Sequence, residues 1–284
     1  MEKGTEISVV IPLHNVEAHI AKAAESLAAQ AFDGLEAVLV DDGSSDGSLE
    51  AMRRLLGGGI AGTNGVNGTN GIKIITVSQS NKGPGGARNA GILAAAGEYV
   101  MFLDADDFLL PGALRDIRDA LRNRPDVLFG GYRRYIEGIG LMKEKQPGAP
   151  KKARAGGLTE RMVADPSESS WNSAWRYVCR RGFLIENGLF FAESLYCEDM
   201  KWALELLLAL ERAGGDFAAL AAPFYAYNYR RPGSIMNSRN PKRLIDLAQI
   251  VKEALPQYAG RPAVRRELVW QAFYYINEYG YLLH

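Results

Sequence analysis

Four polar clusters carry residue types suited to chemistry on phosphates. Asp104-Ala105-Asp106-Asp107 follows the apolar run Glu98–Leu103. In extended chain, carboxylates at i and i+2 face the same side. Paired hard oxygens there suit Mg²⁺ or Mn²⁺, which completes its shell with water and substrate phosphates. A bare D-x-D reads equally as a solvated turn or a helix cap. Its place at the end of a hydrophobic strand, beside a glycine loop with an Arg, favours the metal. That loop is Asn81-Lys82-Gly83-Pro84-Gly85-Gly86-Ala87-Arg88-Asn89. Its backbone N–H groups can approach a ligand closely, and it runs into a helix N-terminus, which attracts phosphate oxygens. Arg88 can add a bidentate contact. The alternative is a tight turn whose Arg is a helix-surface charge. No G-x-x-x-x-G-K-[ST] is present and no G-x-G-x-x-G follows the first strand, so this is neither a P-loop nor a dinucleotide fingerprint.

Asp41-Asp42-Gly43-Ser44-Ser45-Asp46 closes another apolar run. One carboxylate there can accept a hydrogen bond from a base N–H or a ribose hydroxyl, or simply start the turn, a position Asp favours. His14, within Pro12-Leu13-His14-Asn15, has no Ser or Cys partner that argues for a triad. Farther along, Glu198-Asp199 opens an apolar-periodic helix. Carboxylates at a helix N-terminus are favourable on electrostatic grounds alone. One flanked by Tyr196 and Trp202 is also placed to act as a general base beside a sugar-stacking wall. Cys197 reads as a small buried residue, for want of a His partner.

These clusters need a scaffold that gathers loop ends. Ile7–Leu13, Leu35–Val40, Ile72–Val77 and Glu98–Leu103 are short apolar runs, as expected of strands buried on both faces. Helical segments Val16–Gln30, Asp46–Leu56, Gly85–Ala96 and Pro111–Asn123 alternate with them. Ser44, Ser45 and Asp46 can cap the second helix, and Pro111 enters the fourth. The alternation predicts an α/β fold, a mostly parallel sheet flanked by helices. In such sheets ligands bind outside the carboxyl ends of the strands, where the first four clusters fall. The Gly/Asn-rich stretch 57–71 reads as a surface loop. Beyond Asp126 the pattern loosens into a strand Val127–Ile136, a helix Glu198–Arg212, a strand Phe217–Tyr229, and helices Pro241–Leu255 and Pro262–Leu283. The loop Gly138–Gly157, with Lys143, Lys145, Lys151, Lys152 and Arg154, reads as solvated; contact with an anionic acceptor or a membrane surface is the sharper alternative.

The 284 residues carry 33 Lys+Arg against 33 Asp+Glu. A neutral chain lacks the basic surface of a dedicated nucleic-acid binder, so no nucleic-acid partner is expected. Cys179 and Cys197 make no disulfide framework, and with His14, His19 and His284 they show no zinc spacing. A chain of this length can bury about three quarters of its unfolded surface, so its core needs no such staple. The N-terminus is acidic and runs straight into a strand, unlike a signal peptide. Apolar stretches fall short of the ~20 residues a membrane span needs. The expected location is cytoplasmic.

VVIPLHN, VDDGSSDGS, NKGPGGARNAGI and EYVMFLDADD, in that order and spacing, resemble the family-2 glycosyltransferases of the GT-A fold. The resemblance is strong from Ile7 to Asp107. It is weaker through Tyr196-Cys197-Glu198-Asp199 and Arg230-Arg231-Pro232-Gly233-Ser234-Ile235. It implies a nucleotide-sugar half at residues 1–125, an acceptor-side half carrying the base at 126–229, and a C-terminal helical extension at 230–284. Pro12, His14, Asn15 and Asp42 would line base and ribose, Lys82 and Arg88 would approach base and phosphates, and Asp104 the ribose. Asp106 would hold a divalent metal, Mn²⁺ or Mg²⁺, that bridges the diphosphate. Asp199, in preference to Glu198, would be the catalytic base, and Arg230 and Arg231 would belong to a segment closing over the donor.

The implied activity is inverting transfer of a single sugar from a nucleotide-sugar donor, most commonly a UDP-sugar. The implied acceptor is a hydroxyl of a glycan or lipid-linked molecule in cell-surface polysaccharide synthesis. The Q-x-x-R-W of processive, membrane-embedded members is absent, which favours single addition. The C-terminal helices can pack on the core, dimerise, or lie peripherally on the inner face of the membrane. Two alternatives stand beside this. A sugar-nucleotide or nucleotidyl transferase should carry a glycine-rich, basic first-strand loop where this chain has PLHN. A catalytically silent nucleotide-binding module is favoured if Glu198 and Asp199 point away from the donor site.

Overall fold

The computed structural model describes residues 5–57, 66–67, 71–142, 153–154, 157–159, 162, 171–229 and 241–280. In chain order the first half comprises β1 (Ile7–Leu13), α1 (Ala21–Ala28), β2 (Leu35–Asp41), α2 (Ser48–Leu55), β3 (Val66–Asn67), β4 (Lys73–Ser78), α3 (Gly83–Ala94), β5 (Tyr99–Phe102), β6 (Phe108–Leu109) and α4 (Ala113–Leu121). Then come β7 (Val127–Ile136), β8 (Gly140–Leu141), β9 (Ala153–Arg154), β10 (Tyr177–Arg180), α5 (Arg181–Glu186), α6 (Glu198–Ala213), β11 (Asp216–Asn228), α7 (Lys242–Gln257) and α8 (Pro262–Gly280).

These strands form one sheet in the order β3-β4-β2-β1-β5-β10-β7-β11-β6. Its centre, β4-β2-β1-β5, is parallel. β10 runs antiparallel between β5 and β7, and β11 is parallel to β7. Ile7 pairs with Leu35 and Leu13 with Asp41, so β1 and β2 end level and their polar tips emerge side by side.

Both faces of the sheet are covered, which is why its strands read as unbroken apolar runs. Ile7, Val9, Ile11 and Leu13 join one core cluster with Ala23, Leu27, Met52, Leu114 and Ile117 from α1, α2 and α4. Val10 joins the other, with Ala87, Ile92, Trp202, Leu206, Ile250 and Leu268 from α3, α6, α7 and α8. The C-terminal helices pack on this core through Leu247, Ile250, Val264 and Leu268.

The match with expectation is closest for β1 and β7, whose bounds agree at both ends, and loosest for α1, where Glu17–His19 forms a 3-10 turn before the helix proper begins. α3 presses unusually close to β1: a Cβ built on Gly91 would lie 2.2 Å from Val10 Cγ1. Gly91→Ala is therefore expected to overpack this contact and cost about 1–3 kcal/mol, read as a lower Tm. An unchanged Tm would contradict the close approach.

Candidate active site

The tips of β1 and β2 interlock. Asp42 N–H donates to Leu13 O at 2.8 Å, and His14 Nδ1 lies 2.9 Å from Asp42 O. A carbonyl only accepts, so Nδ1 carries the proton and Nε2 is left to accept from Asn81 Nδ2 at 3.1 Å. Asn15 adopts φ +50°, a left-handed conformation Asn tolerates. Its Oδ1 accepts the N–H and hydroxyl of Ser45 at 2.8 and 3.1 Å. Asp42 is buried, and its Oδ1 accepts both Gln79 Nε2 at 2.8 Å and Lys82 N–H at 2.9 Å. Oδ2 is used by neither. Pro12, half-buried in β1 opposite Val40, completes this rim. The Lys82 ammonium lies 3.5 Å from Glu193.

At the tip of β5 the chain turns at once, with Asp107 N–H donating to Asp104 O at 3.0 Å. Asp104 and Asp106 thus occupy a turn, and the alternation of extended chain does not aim them. Hydrogen bonds from β11 reach this turn at its backbone and at Asp107. The Tyr225 hydroxyl donates to Asp107 Oδ2 at 2.7 Å and accepts Asp104 N–H at 3.1 Å. Asn228 N–H donates to Asp107 Oδ1 at 2.7 Å, and Asn228 Nδ2 to Asp106 O at 3.2 Å. Burial, then the charges of Asp106 and Asp104, push the Asp107 carboxyl well above the usual carboxylate range, against the Asn228 N–H and the Tyr225 hydroxyl.

Among the described residues no group of three or more His, Cys, Asp or Glu side chains gathers to hold a metal alone. The donor chemistry nevertheless fits a cation of the Mg²⁺ or Mn²⁺ kind, which commonly takes one or two carboxylates plus substrate phosphates. The crowding of Asp104, Asp106 and Asp107 is a negative site that such an ion would relieve. Asp104 Oδ1 is tied to Arg88, and Asp106 lies half-buried in the same turn.

Arg88 is placed otherwise than the glycine loop suggests. A Cβ on Gly85 would lie 2.5 Å from Ala192 O and 3.2 Å from Glu198 Cγ, so glycine lets α3 dock against the segment leading into α6. Asn89 fastens that contact, donating to Phe191 O at 2.9 Å and accepting Phe191 N–H at 2.7 Å. Arg88 Nη1 then meets Glu198 Oε1 at 2.6 Å and Nη2 meets Asp104 Oδ1 at 2.8 Å. With 5 % of its surface exposed and both terminal nitrogens on carboxylates, Arg88 is a buried bridge. Burial works against its charge, but Asp104, Glu198 and Asp199 together raise its pKa.

Cys197, at φ +60°, turns the chain into α6 and sets Glu198 and Asp199 in the first helical turn. Glu198 is buried and committed to Arg88. Asp199 keeps part of its surface open to solvent. Desolvation first, then the charges of Glu198 and Asp104, lift its carboxyl to about 7, against Arg88 and the Met200 N–H. A carboxylate that exchanges its proton near neutrality is suited to general-base work. Burial pushes the Cys197 thiol up to about 12, which leaves it inert.

Trp202 is not a sugar-stacking wall. It is fully buried, stacked on Phe191 at 4.5 Å, with Nε1 donating to Leu189 O. Tyr196 stays half-buried at the rim, its N–H donating to Asp246 Oδ2 at 2.9 Å. Arg230 and Arg231, and the lysines at 143, 145, 151 and 152, lie outside the described residues. Among the described residues, no helix is long and apolar enough to cross a membrane.

Residues 8–177 match the family model described as Glycosyl transferase family 2. The uncharacterized glycosyltransferase YibD of Escherichia coli (strain K12) is 26 % identical over 290 residues, 96 % of this chain and 78 % of the relative. EpsJ of Bacillus subtilis (strain 168), also an uncharacterized glycosyltransferase, is 28 % identical over 72 % of this chain, which spans 57 % of that relative. Among solved structures, S. aureus TarS 1-349 in complex with UDP-GlcNAc aligns with a TM-score of 0.67 and 22 % identity, covering 88 % of this chain and 66 % of that one. The mannosyltransferase PcManGT of Pyrobaculum calidifontis, in complex with GDP-Man and Mn²⁺, aligns at 0.62 and 17 % identity, covering 95 % of this chain and 70 % of that one. At these identities the structural likeness establishes the fold, a GT-A-like, mostly parallel sheet flanked by helices. With that fold, and a family model matched over more than half its length, the chain belongs to glycosyltransferase family 2.

Proposed function

We propose that this protein moves a single sugar from a UDP-sugar to a hydroxyl of a glycan or lipid-linked acceptor, with inversion and metal assistance, in cell-surface polysaccharide synthesis at the inner face of the membrane. The observation that carries this reading is the continuous run of contacts from Asp42, through the Lys82 N–H and α3, to Arg88, Asp104 and Glu198. In this reading it joins the strand tips that take the base, the turn that takes the diphosphate and the helix that carries the proton-accepting carboxylate. Relatives supply analogy: one structure holds UDP-GlcNAc and another GDP-Man with Mn²⁺.

In this reading Asp42 Oδ2 accepts the imide N–H of the base. A divalent ion held by Asp106 would stabilise charge on the departing diphosphate. Asp199 takes the proton from the acceptor hydroxyl as it attacks from the face opposite the leaving group, and one displacement inverts the anomeric centre. Glu198 serves as the counter-charge to Arg88. The link from Glu198 through Arg88 to Asp104 disfavours a silent module, because it ties the base helix to the donor-side turn.

A thermal-shift panel of nucleoside diphosphates, uridine and guanosine included, with and without Mn²⁺, tests the reading. Uridine diphosphate should raise Tm most, and more so with Mn²⁺; no shift with any nucleotide would overturn it. Asp42→Asn keeps an oxygen for Gln79 and Lys82 but sets an NH₂ against the base N–H. Uridine diphosphate affinity should fall roughly tenfold to a hundredfold, the worth of a charged hydrogen bond. Unchanged affinity by calorimetry would take Asp42 out of the site.

A further inference from the structure

We infer that Asp107, through Tyr225 and Asn228, is a positioning residue that locks the acidic turn onto the end of β11 in the geometry its metal–diphosphate ligand requires. The inference rests on the functional reading above and adds a device to it. The turn spans two differently anchored strands: β5 ends at Phe102 in the parallel centre of the sheet, while β6 begins at Phe108 on β11, with Ala226 opposite Phe108. Nothing in a four-residue turn by itself dictates where Asp104 and Asp106 aim.

The clamp supplies that. Asp107 is 2 % exposed, and each of its oxygens takes a donor from β11, the Tyr225 hydroxyl on one and the Asn228 N–H on the other. The same two β11 residues then reach past Asp107 to its neighbours. Tyr225 accepts the Asp104 N–H, and Asn228 donates to the Asp106 carbonyl. Tyr225 is itself immobilised, fully buried with Trp175 stacked at 4.4 Å and 11° between planes. The backbone on both sides of Ala105 is thereby held by one strand. Groups that orient a metal-binding carboxylate in this way are typically worth a 10- to 100-fold change in metal affinity.

The test compares Tyr225→Phe, Asp107→Ala and Asn228→Ala with the parent protein. Calorimetry would measure uridine diphosphate affinity with and without Mn²⁺, and electron paramagnetic resonance would measure Mn²⁺ capture. Tyr225→Phe should weaken Mn²⁺-dependent binding about 10- to 100-fold and leave metal-free nucleotide affinity within about twofold of the parent, a split that mere loss of structure would not produce. Asp107→Asn can still accept from the Asn228 N–H and should lose less than Asp107→Ala. Should Asp107→Ala not fold, Asn228→Ala keeps the backbone N–H to Asp107 while removing the side-chain bond to the Asp106 carbonyl, and should still lose several-fold in Mn²⁺ capture. Parent-like Mn²⁺ capture in folded Tyr225→Phe and Asn228→Ala would overturn the inference, as would equal losses with and without metal. A parent protein that binds no nucleotide overturns the functional reading instead, and the clamp's proposed purpose with it.

Discussion

Asp199→Asn is expected to lower kcat for sugar transfer by roughly 10²- to 10⁴-fold, the usual worth of a positioned general base, with donor affinity unchanged. The amide is nearly isosteric and keeps the first turn of α6, so the loss isolates proton transfer. The pH profile carries the same information. A general base acts only when ionised, and the Asp199 carboxyl is raised to about 7. Activity in the parent should therefore rise with pH through about 7, and that acid limb should vanish in the variant.

Stability moves the opposite way. A folded-state pKa raised above 3.8 means that the folded protein holds this proton more tightly than the unfolded chain. The stabilisation is complete below the unfolded value and is lost as pH rises through about 7. Above neutrality Asp199→Asn, which never ionises, should melt higher than the parent. A variant with parental kcat would remove Asp199 as the base; one with a lower Tm at pH near 8 would show that its raised pKa is not a cost of folding.

Arg88→Met should cost both fold and chemistry. It leaves Glu198 buried and uncompensated, and breaking a buried ion pair from one side typically costs about 3–5 kcal/mol. Asp104 loses the same partner. Any folded fraction should show the acid limb displaced above about 7, since Arg88 is the charge that opposes the rise of Asp199. Arg88→Lys keeps the charge, but an ammonium cannot reproduce the planar fork across two carboxylates, so partial stability and a loss of activity are expected. Pairing Arg88→Met with Glu198→Gln should recover part of the lost Tm. A single Arg88→Met variant that melts like the parent would mean the bridge does not hold the base helix in place.

What could be read from the sequence follows the range of the interactions. β1, β2 and β5 were legible because burial on both faces leaves a plain apolar run; β4, with Ile74 its one buried residue, was legible from its β-branched Ile74, Ile75, Thr76 and Val77. β10 was not, because Tyr177–Arg180 is too short to show a period and takes its place from β5 and β7. The acidic turn was found by composition, but what orients it is Tyr225, 118 residues beyond Asp107. Arg88 was found as part of a glycine loop, and its partner Glu198 lies 110 residues away, a separation that leaves no motif. Trp202 misled because α6 is buried on most of its circumference, with Met200, Trp202, Ala203, Leu204 and Leu206 all inside. An aromatic beside a carboxylate on such a helix is core.

The most direct test of the strand-tip site is a crystal structure with uridine diphosphate and Mn²⁺, with data collected at the manganese edge. The anomalous peak should lie between Asp106 and the diphosphate, with the uracil imide against Asp42 Oδ2 and Asp199 open to the space beyond the phosphates. A nucleotide seated elsewhere, or an ion remote from Asp106, would contradict the account.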